Sequence, residues 1–315
     1  MTSEDSSMKE KITVFGSFVV DLMGRTPHLP VPGETVKGSL FKQGAGGKGF
    51  NQAIAAHKAG GDVAMATKLG RDSMAQVATD AMDLVGMPKD YLFYHPEAHT
   101  GIALIMVDEN TSQNMIVIVP GACATITEQD IASVEERIKE SAYLLLQLEV
   151  NQDANEKAAA LARANGVKVI INTAPYQSVS DDFIKGAYLV TPNEVEAEGL
   201  TGIKVTDLAS ADMAAQVLFN KGVENVLITM GSQGVYLNTK GHSEIIPAYK
   251  VNAIDTTGAG DAFNGGLVAG LAEGKSLRDA AAFANAVAAL SVQKLGTTPS
   301  MPTREEIDAF VKERA

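Results

Sequence analysis

The stretch DTTGAGDAFNGG, residues 255–266, places two glycines between two aspartates, directly before a long run of Ala, Leu and Val. Because Gly258 and Gly260 lack side chains, consecutive N–H groups at this turn can converge on one point. The apolar run after Asp261 is typical of a buried helix, and the N-terminus of a helix adds a partial positive charge. The stretch therefore predicts a cradle for negative charge at the start of a helix.

Asp261 places a carboxylate at the rim of this cradle, where it would repel a simple bound anion. Its position makes chemical sense if it takes a proton from a hydroxyl that attacks phosphorus while the cradle holds the transferred group. The structural alternative is an Asp N-cap after a glycine turn, which is frequent. The presence of Asp255 at the other end of the stretch favours the catalytic role of Asp261 over the capping role.

The composition limits the partners of the chain. Its 315 residues are 45% hydrophobic and 20% charged, enough for one large or two modest domains with a buried core. A net charge of −12 without a basic block argues against nucleic acid or an anionic membrane as a partner. Cys123 is the only cysteine, which excludes an intrachain disulfide and a multi-cysteine metal site. Without an apolar run of about 18 residues or a signal-peptide pattern, the sequence predicts a cytoplasmic protein.

Short β-rich runs alternate with amphipathic helical patterns along most of the chain. We predict strands at 11–17, 62–68, 142–148, 167–172, 187–193 and 223–229, separated by helices that include 52–59, 73–84, 153–165 and 210–221. Strands that are buried on both faces and separated by helices indicate a parallel sheet covered by helices. The last third is predicted to be almost wholly helical, with helices at 259–272, 276–294 and 303–312.

Two segments, 29–43 and 100–120, break this alternation. The first is a Pro/Gly turn that leads into an alternating strand, and the second holds two apolar strands joined by a polar turn at 108–113. A hairpin and a further strand without an intervening helix predict a small antiparallel sheet added to the α/β domain. We interpret this sheet as a lid. The predicted division is a lid of residues 21–45 and 99–121 and a core of residues 1–20, 46–98 and 122–315.

The glycine-rich stretch GAGGKG, residues 44–49, fits the dinucleotide pattern G-x-G-x-x-G, with Asp62 further along. That pattern should follow the first core strand, which is predicted to end near Ser17, so a dinucleotide oxidoreductase is the weakest hypothesis. The alternative is a glycine turn at a helix N-terminus, where the backbone and Lys48 can approach a polar ligand. Asn51, about one helical turn later, would face the same ligand.

Other polar stretches also follow predicted strands. Asn193 and Glu196 share a face of a first helical turn, and oxygen ligands at this spacing suit Mg²⁺ near phosphates. An N-cap followed by a solvated acidic turn is the structural alternative. Ligands bind at the carboxyl ends of strands in such folds, so the stretches that end strands should converge. These stretches are QLE (147–149), NTAP (172–175), TPNEVEAE (191–198) and TMGSQG (229–234).

Four stretches together resemble the ribokinase-like (PfkB) carbohydrate kinase family, from about Lys11 to the C-terminus: GGKGFNQA (46–53), TPNEVEAEGLTG (191–202), LITMGSQG (227–234) and DTTGAGDAFNGG. The resemblance implies a three-layer α/β fold with a mostly parallel central sheet between helices, plus the small antiparallel β lid. It implies ATP-dependent phosphorylation of a sugar hydroxymethyl to give a pentose 5-phosphate, with D-ribose the first candidate. It also implies ATP as co-substrate, Mg²⁺, a monovalent cation such as K⁺, and a homodimer that pairs through the lid.

The resemblance also implies roles for individual residues. Asp261 would be the general base, with Gly258, Ala259 and Gly260 as the anion hole. The sugar site, besides Asp261, would comprise Val19, Asp21, Gly47, Lys48, Asn51 and Glu149. The nucleotide and its Mg²⁺ would be served, besides Gly260, by Asn193, Glu196, Thr229, Gly231, Ser232, Gly234 and Asn285. The monovalent cation site would comprise Asp255, Thr257, Ser291, Lys294, Gly296 and Ser300, several of them through backbone carbonyls.

Val19 departs from the family pattern, which places Asn two residues before the sugar-binding Asp. This departure makes 2-deoxyribose an alternative substrate, alongside the sugars of other PfkB kinases. A non-catalytic sugar-binding regulator is the alternative from a different class of protein, and the presence of Asp261 argues against it.

Overall fold

Two β-sheets and ten α-helices make up the fold of residues 9–315, the part of the chain that the computed structural model describes. Residues 1–8, which were assigned to the core, lie outside the described part. The strands are β1 (Lys11–Phe15), β2 (Val19–Thr26), β3 (Leu40–Gly46), β4 (Asp62–Gly70), β5 (Leu92–His95), β6 (Gly101–Asp108), β7 (Asn114–Val119), β8 (Tyr143–Leu146), β9 (Lys168–Ile171), β10 (Leu189–Val190), β11 (Val226–Thr229), β12 (Val235–Asn238) and β13 (Ser243–Ile246). The helices are α1 (Lys48–Lys58), α2 (Ala75–Val85), α3 (Glu128–Glu140), α4 (Gln152–Ala164), α5 (Asp181–Ile184), α6 (Glu194–Thr201), α7 (Leu208–Asn220), α8 (Ala259–Ala272), α9 (Leu277–Ser291) and α10 (Arg304–Glu313).

The larger sheet has nine strands in the order β13-β12-β11-β10-β9-β8-β1-β4-β5. Its pairings are parallel except at one edge, where β12 is antiparallel to both β11 and β13. Along β8, Leu144 and Leu146 point into one apolar core and Leu145 into another, because successive side chains of a strand face opposite ways. The helices α1, α2, α8, α9 and α10 contribute to the core that contains Leu145, and α3 to α7 contribute to the core that contains Leu144 and Leu146. The three-layer α/β prediction is confirmed.

The smaller sheet has the strand order β3-β2-β6-β7. Its β2–β3 and β6–β7 pairings are antiparallel, and the central β2–β6 pairing, which joins two distant segments, is parallel. The hairpin and β3 were predicted from the sequence, but β2 was missed because its run VVDLMGRT carries two charged residues and a glycine among its apolar residues. The assignment of these segments to a separate lid domain stays a prediction.

Differences from the predicted elements are local. The strand predicted at 187–193 shrinks to β10, because Pro192 has no N–H to donate to the sheet and Asn193, which keeps a single bridge to Thr229, caps α6. Helix α8 begins at Ala259 and ends at Ala272, as predicted. None of the helices within residues 9–315 is long and apolar enough to cross a membrane.

Candidate active site

A cavity of about 230 Å³ lies where the carboxyl ends of the parallel strands meet the N-termini of α1, α6 and α8. Helix N-termini that point into one space concentrate unpaired N–H groups and positive potential there. Of the four stretches that we expected to converge, NTAP, TPNEVEAE and the first residue of TMGSQG line this cavity, whereas QLE does not. The cavity is lined by Lys48, Asn172, Ala174, Thr191, Asn193, Glu196, Thr229, Thr256, Gly258, Ala259, Gly260, Asp261 and Asn264.

Gly258, not Asp261, is the N-cap of α8. Its φ of 78° lies in the left-handed region, which favours glycine. The N–H of Ala259 donates to the carbonyl of Thr256 at 3.2 Å, whereas those of Gly260 and Asp261 make no hydrogen bond within the described residues. The capping alternative for Asp261 is therefore wrong, and two free N–H groups remain to bind an anion.

The Asp261 carboxylate, in the first turn of α8, points inward and is only 6% exposed. Its Oδ2 accepts a hydrogen bond from Asn51 Nδ2, and its Oδ1 accepts one from Gln52 Nε2, each at 3.0 Å. Burial raises the pKa of Asp261, and the charge of Lys48 and the two amide donors partly offset that rise. A buried carboxylate of this kind can accept a proton more readily than an exposed one.

The N-terminus of α1 carries Lys48 to the same cavity. Gly47 caps the helix with φ 92°, and a Cβ there would lie 2.9 Å from the backbone of Phe18, so only glycine fits. The Lys48 N–H donates to Glu149 Oε2 at 2.9 Å. Burial alone would lower the pKa of the Lys48 ammonium, but the charges of Asp261, Glu149 and Glu196 raise it overall. Lys48 thus stays protonated among these carboxylates.

Asp21 approaches this group from β2. Burial, reinforced by the charges of Glu149 and Asp261, raises the pKa of Asp21 to about 6. A Cβ on Gly46, in the neighbouring strand, would lie 2.5 Å from both Asp21 carboxylate oxygens, so the glycine makes room for this side chain. Val19 lies two residues earlier on β2, on the same face of the strand, and is 5% exposed.

Asn193 and Glu196 form a capping box at the start of α6. Asn193 Oδ1 accepts the Glu196 N–H and Glu196 Oε2 accepts the Asn193 N–H, each at 2.8 Å. Asn193 is thus the N-cap of α6, as the structural alternative proposed. The acidic turn that follows is not solvated, however, because Glu196 is buried, and this burial raises the pKa of its carboxyl group. The cap engages only Oε2 of the Glu196 carboxylate.

The other residues assigned to the nucleotide follow β11 or lie on α9. Thr229 lines the cavity and forms a parallel bridge with Asn193. Gly231, Ser232 and Gly234 form the turn after β11, beyond the cavity walls, where Gly231 and Gly234 have φ values of 54° and 102°. Asn285 is buried on α9 and donates to the carbonyl of Pro247 at 3.1 Å, also outside the cavity. Of these residues, only Thr229 therefore reaches the cavity.

The residues assigned to a monovalent cation are brought together only in part. Asp255 accepts N–H groups from Thr257 at 2.9 Å and Gly296 at 3.0 Å. Burial opposes its ionisation, but these hydrogen bonds lower the pKa of Asp255 overall. The other side chains are engaged elsewhere: the hydroxyls of Ser291 and Ser300 donate to the carbonyls of Ala288 and Thr297, and the Lys294 ammonium pairs with Glu306.

Five buried polar side chains at or just below the cavity wall received no role from the sequence. Three of them lie in stretches that were expected to converge, and Gln52 lies one helical turn after Lys48 and therefore shares its face of α1. Hydrogen bonds link these side chains to Asp261 across distant parts of the chain. They are Gln52, Gln147, Asn172, Thr191 and Asn264.

Comparison with known proteins agrees with this geometry. Residues 9–304 match the family described as pfkB family carbohydrate kinase. The chain is 42% identical to a ribokinase of Haemophilus influenzae over 305 residues, which cover 97% of this chain and 99% of the relative. It is 35% identical to a deoxyribokinase of Salmonella typhi over 301 residues, which cover 95% of this chain and 98% of that protein.

Solved structures are similar as well. An Arabidopsis thaliana ribokinase complexed with ribose and ATP superposes with a TM-score of 0.90 at 30% identity, and the match covers 97% of this chain and 99% of that one. A Thermotoga maritima ribokinase gives a TM-score of 0.88 at 36% identity, covering 96% of this chain and 99% of the other. The chain therefore belongs to the pfkB family of carbohydrate kinases.

Proposed function

We propose that this protein transfers the γ-phosphoryl group of ATP to the 5-hydroxyl of D-ribose. The observation that carries the proposal is the placement of the Asp261 carboxylate beside the free N–H groups of Gly260 and Asp261 in one cavity. The similarity to ribokinases over nearly the whole chain supports the choice of sugar.

In this reaction Asp261 accepts the proton of the sugar hydroxyl as its oxygen attacks the γ-phosphorus. The new bond joins the sugar oxygen to phosphorus, and the bond between phosphorus and the β,γ-bridging oxygen breaks, so that ADP leaves. The N–H groups at the start of α8, with the partial positive charge of the helix, stabilise the negative charge on the transferred group.

Asp21 is the group best suited to hold the sugar. In the described part of the chain its carboxylate makes no hydrogen bond, so both oxygens are available to hydroxyl donors. Such donors would favour the ionised form and lower its raised pKa. Glu149 accepts hydrogen bonds from the Ser17 hydroxyl and the Lys48 N–H at Oε2, so this oxygen fixes the turn at residue 47 and only Oε1 would be left for a sugar hydroxyl.

The nucleotide and its Mg²⁺ fit the remaining side of the site. Glu196 Oε1 is a hard oxygen ligand of the kind that Mg²⁺ prefers, and one protein carboxylate suits an ion that keeps several waters. When bound, Mg²⁺ would neutralise phosphate charge. The glycine turn of Gly231, Ser232 and Gly234, with Asn193, Thr229 and Asn285, would border the nucleotide.

We also infer a monovalent cation, K⁺ by preference, beside Asp255. The family resemblance supports this inference, since it implies that Asp255 and backbone carbonyls near the α8 N-terminus would hold the cation, and a cation there would offset carboxylate repulsion. Side chains of Ser291, Lys294 and Ser300 would not take part, since they are engaged elsewhere. Equal activity in K⁺ and in tetramethylammonium at matched ionic strength would contradict this site.

The smaller sheet supports the inferred lid and homodimer. Four consecutive residues of β7, Met115–Ile118, are between 47% and 58% exposed, which is unusual for apolar side chains in a monomer. Pairing with a second copy would cover them. Analytical ultracentrifugation should show that the wild type is a dimer and that Val117→Lys dimerises more weakly. A wild type that is monomeric at micromolar concentration would contradict the inference.

The function is tested by measuring ATP consumption with a panel of pentoses and hexoses in the presence of Mg²⁺. We expect the largest kcat/KM with D-ribose and ribose 5-phosphate as the product. Sugar binding without turnover would instead indicate a regulator. Reduction of NAD(P) with any sugar would indicate an oxidoreductase.

A second candidate substrate is 2-deoxyribose, which the apolar side chain of Val19 favours. A sugar hydroxyl buried against Val19 would lack a partner, at a cost of about 1–3 kcal/mol, unless another group or water supplies one. The similarity to a deoxyribokinase is consistent with this alternative.

We predict that Val19→Asn shifts the ratio of kcat/KM for ribose to that for 2-deoxyribose towards ribose, by about 10–100-fold. Asn at this position could donate to or accept from the hydroxyl that distinguishes the two sugars. The measurement is kcat/KM for both sugars in both proteins, with Val19→Leu as the apolar control. An unchanged ratio would show that residue 19 does not contact the 2-position.

A further inference from the structure

A continuous hydrogen-bond chain of buried side chains runs along the cavity wall and just below it. Gln147 Nε2 donates to Gln52 Oε1 at 2.7 Å. Gln52 Nε2 in turn donates to Asp261 Oδ1 and to Asn172 Oδ1, each at 3.0 Å. Gln52 is completely buried and Gln147 is 1% exposed, so neither amide can exchange these partners for bulk water.

From Asn172 the hydrogen-bond chain continues to α8, the helix that carries Asp261. Asn172 Nδ2 donates to the carbonyl and hydroxyl oxygens of Thr191, at 3.1 and 3.3 Å. The Thr191 hydroxyl donates to Asn264 Oδ1 at 2.6 Å, and Asn264 Nδ2 donates to the carbonyl of Gly260 at 2.8 Å. The hydrogen-bond chain therefore connects Asp261 with Gly260, both in the first turn of α8, and Gln147 joins it at Gln52.

The orientation of every amide in this chain follows from its fixed ends. A backbone carbonyl and an ionised carboxylate can only accept hydrogen bonds. The carbonyls of Thr191 and Gly260 therefore fix Asn172 and Asn264, and an ionised Asp261 requires the Gln52 amide to present its N–H. The polarity of the whole chain matches the charged form of Asp261.

We propose that Gln52, oriented by Gln147, is a positioning residue that keeps the Asp261 carboxylate ionised and aimed at the substrate hydroxyl. This inference rests on the proposed function, in which Asp261 is the general base. Neither Gln52 nor Gln147 lines the cavity, so each acts through Asp261 and not on the substrate. Asn51 supplies the matching donor to the other carboxylate oxygen at 3.0 Å.

The charged groups that face Asp261 make this donor important. Lys48 on α1 favours the ionised carboxylate, whereas Asp21 on β2, Glu149 after β8 and Glu196 on α6 oppose it. Burial opposes it as well. A hydrogen bond to the ionised form shifts the equilibrium towards it, so loss of the Gln52 N–H should raise the pH at which Asp261 loses its proton.

The test is the pH dependence of kcat/KM for the sugar, which reports ionisations of the free enzyme. We expect Gln52→Met to move the acidic limb upward by about one pH unit, and Gln52→Glu, which keeps the shape but adds a charge, to move it further. At pH values below the acidic limb, kcat/KM of Gln52→Met should be about tenfold lower than that of the wild type. At pH values above the acidic limbs of both proteins, the two kcat/KM values should be similar. Gln147→Met, which leaves the donor in place but frees its orientation, should give a smaller upward shift.

Asn225→Leu is the matched control, because it removes a side-chain amide that donates to the carbonyl of Tyr188 at 2.9 Å, away from the site. Its pH profile should equal that of the wild type. If a Gln52 variant does not fold, the Gln147→Met profile decides. A loss of activity that is uniform across pH, or no loss, in the folded variants would overturn the positioning role while leaving ribose phosphorylation intact. A wild type without sugar-dependent ATP consumption would overturn both.

Discussion

Asp261→Asn is expected to lower kcat by about 10²–10⁴-fold, the usual contribution of a general base. Asparagine keeps the size of the side chain but cannot accept the proton of the attacking hydroxyl. One of the two donors, Asn51 or Gln52, would also face the new amide N–H and lose its acceptor. Steady-state kinetics with ribose and ATP, together with calorimetric measurement of sugar binding, would separate loss of chemistry from loss of affinity.

Asp279→Asn is the control for this variant. Asp279 occupies the corresponding position in the first turn of α9, three residues after its N-cap, but it is exposed and outside the cavity. It should therefore keep wild-type activity with at most a small loss of stability. Retention of most of the wild-type kcat in Asp261→Asn would rule out the assignment of the general base.

Gly265→Ala is expected to lower the free energy of unfolding by about 1–3 kcal/mol, because it overpacks the contact between α1 and α8. A Cβ at this position would lie 2.5 Å from the Ala55 side chain and 2.6 Å from the carbonyl of Gln52. Backbone cannot yield as the end of a long side chain can, so the two helices must separate. The separation would also draw Gln52 away from Asp261 and lower activity.

Gly270→Ala on the same helix is the matched comparison. Its added Cβ would meet Ala280 at 3.3 Å, which a shift of a few tenths of an ångström relieves, and alanine favours the helix over glycine by about 1 kcal/mol. Urea unfolding of the two variants should therefore show a large loss for Gly265→Ala and little change for Gly270→Ala. Equal stability of Gly265→Ala and the wild type would contradict the tight helix contact.

The α/β class and the convergence of the site could be predicted because they depend on local patterns. The β8 run YLLL is apolar throughout, which indicates a strand that is buried on both faces. Gly258 and Asp261 lie within one short stretch, and their spacing indicates the anion cradle. The glycine turn before α1 was predicted in the same way, from the run of glycines in GAGGKG, residues 44–49.

The groups around Asp261 could not be predicted, because they come from distant parts of the chain. The hydrogen bond between Gln52 and Asp261 joins residues 209 positions apart, and no local pattern encodes it. The parallel pairing of β2 with β6 is non-local in the same sense. The shortness of β10 was missed for a different reason, because it depends on Pro192, which cannot donate a hydrogen bond to the sheet, and on the capping of α6 by Asn193.

The contact between α1 and α8 has a consequence for biosynthesis. At about 5–20 residues per second, a ribosome needs roughly 10–40 s to pass from α1 to α8. Throughout that interval the surface of α1 around Ala55, which Gly265 later covers, has no partner from α8. We expect ribosome-stalled chains that end before Gly258 to be cleaved by protease near α1, and chains released at full length to be protected there. The nascent protein thus keeps this surface of α1 uncovered even after all the strands of its larger sheet have been made.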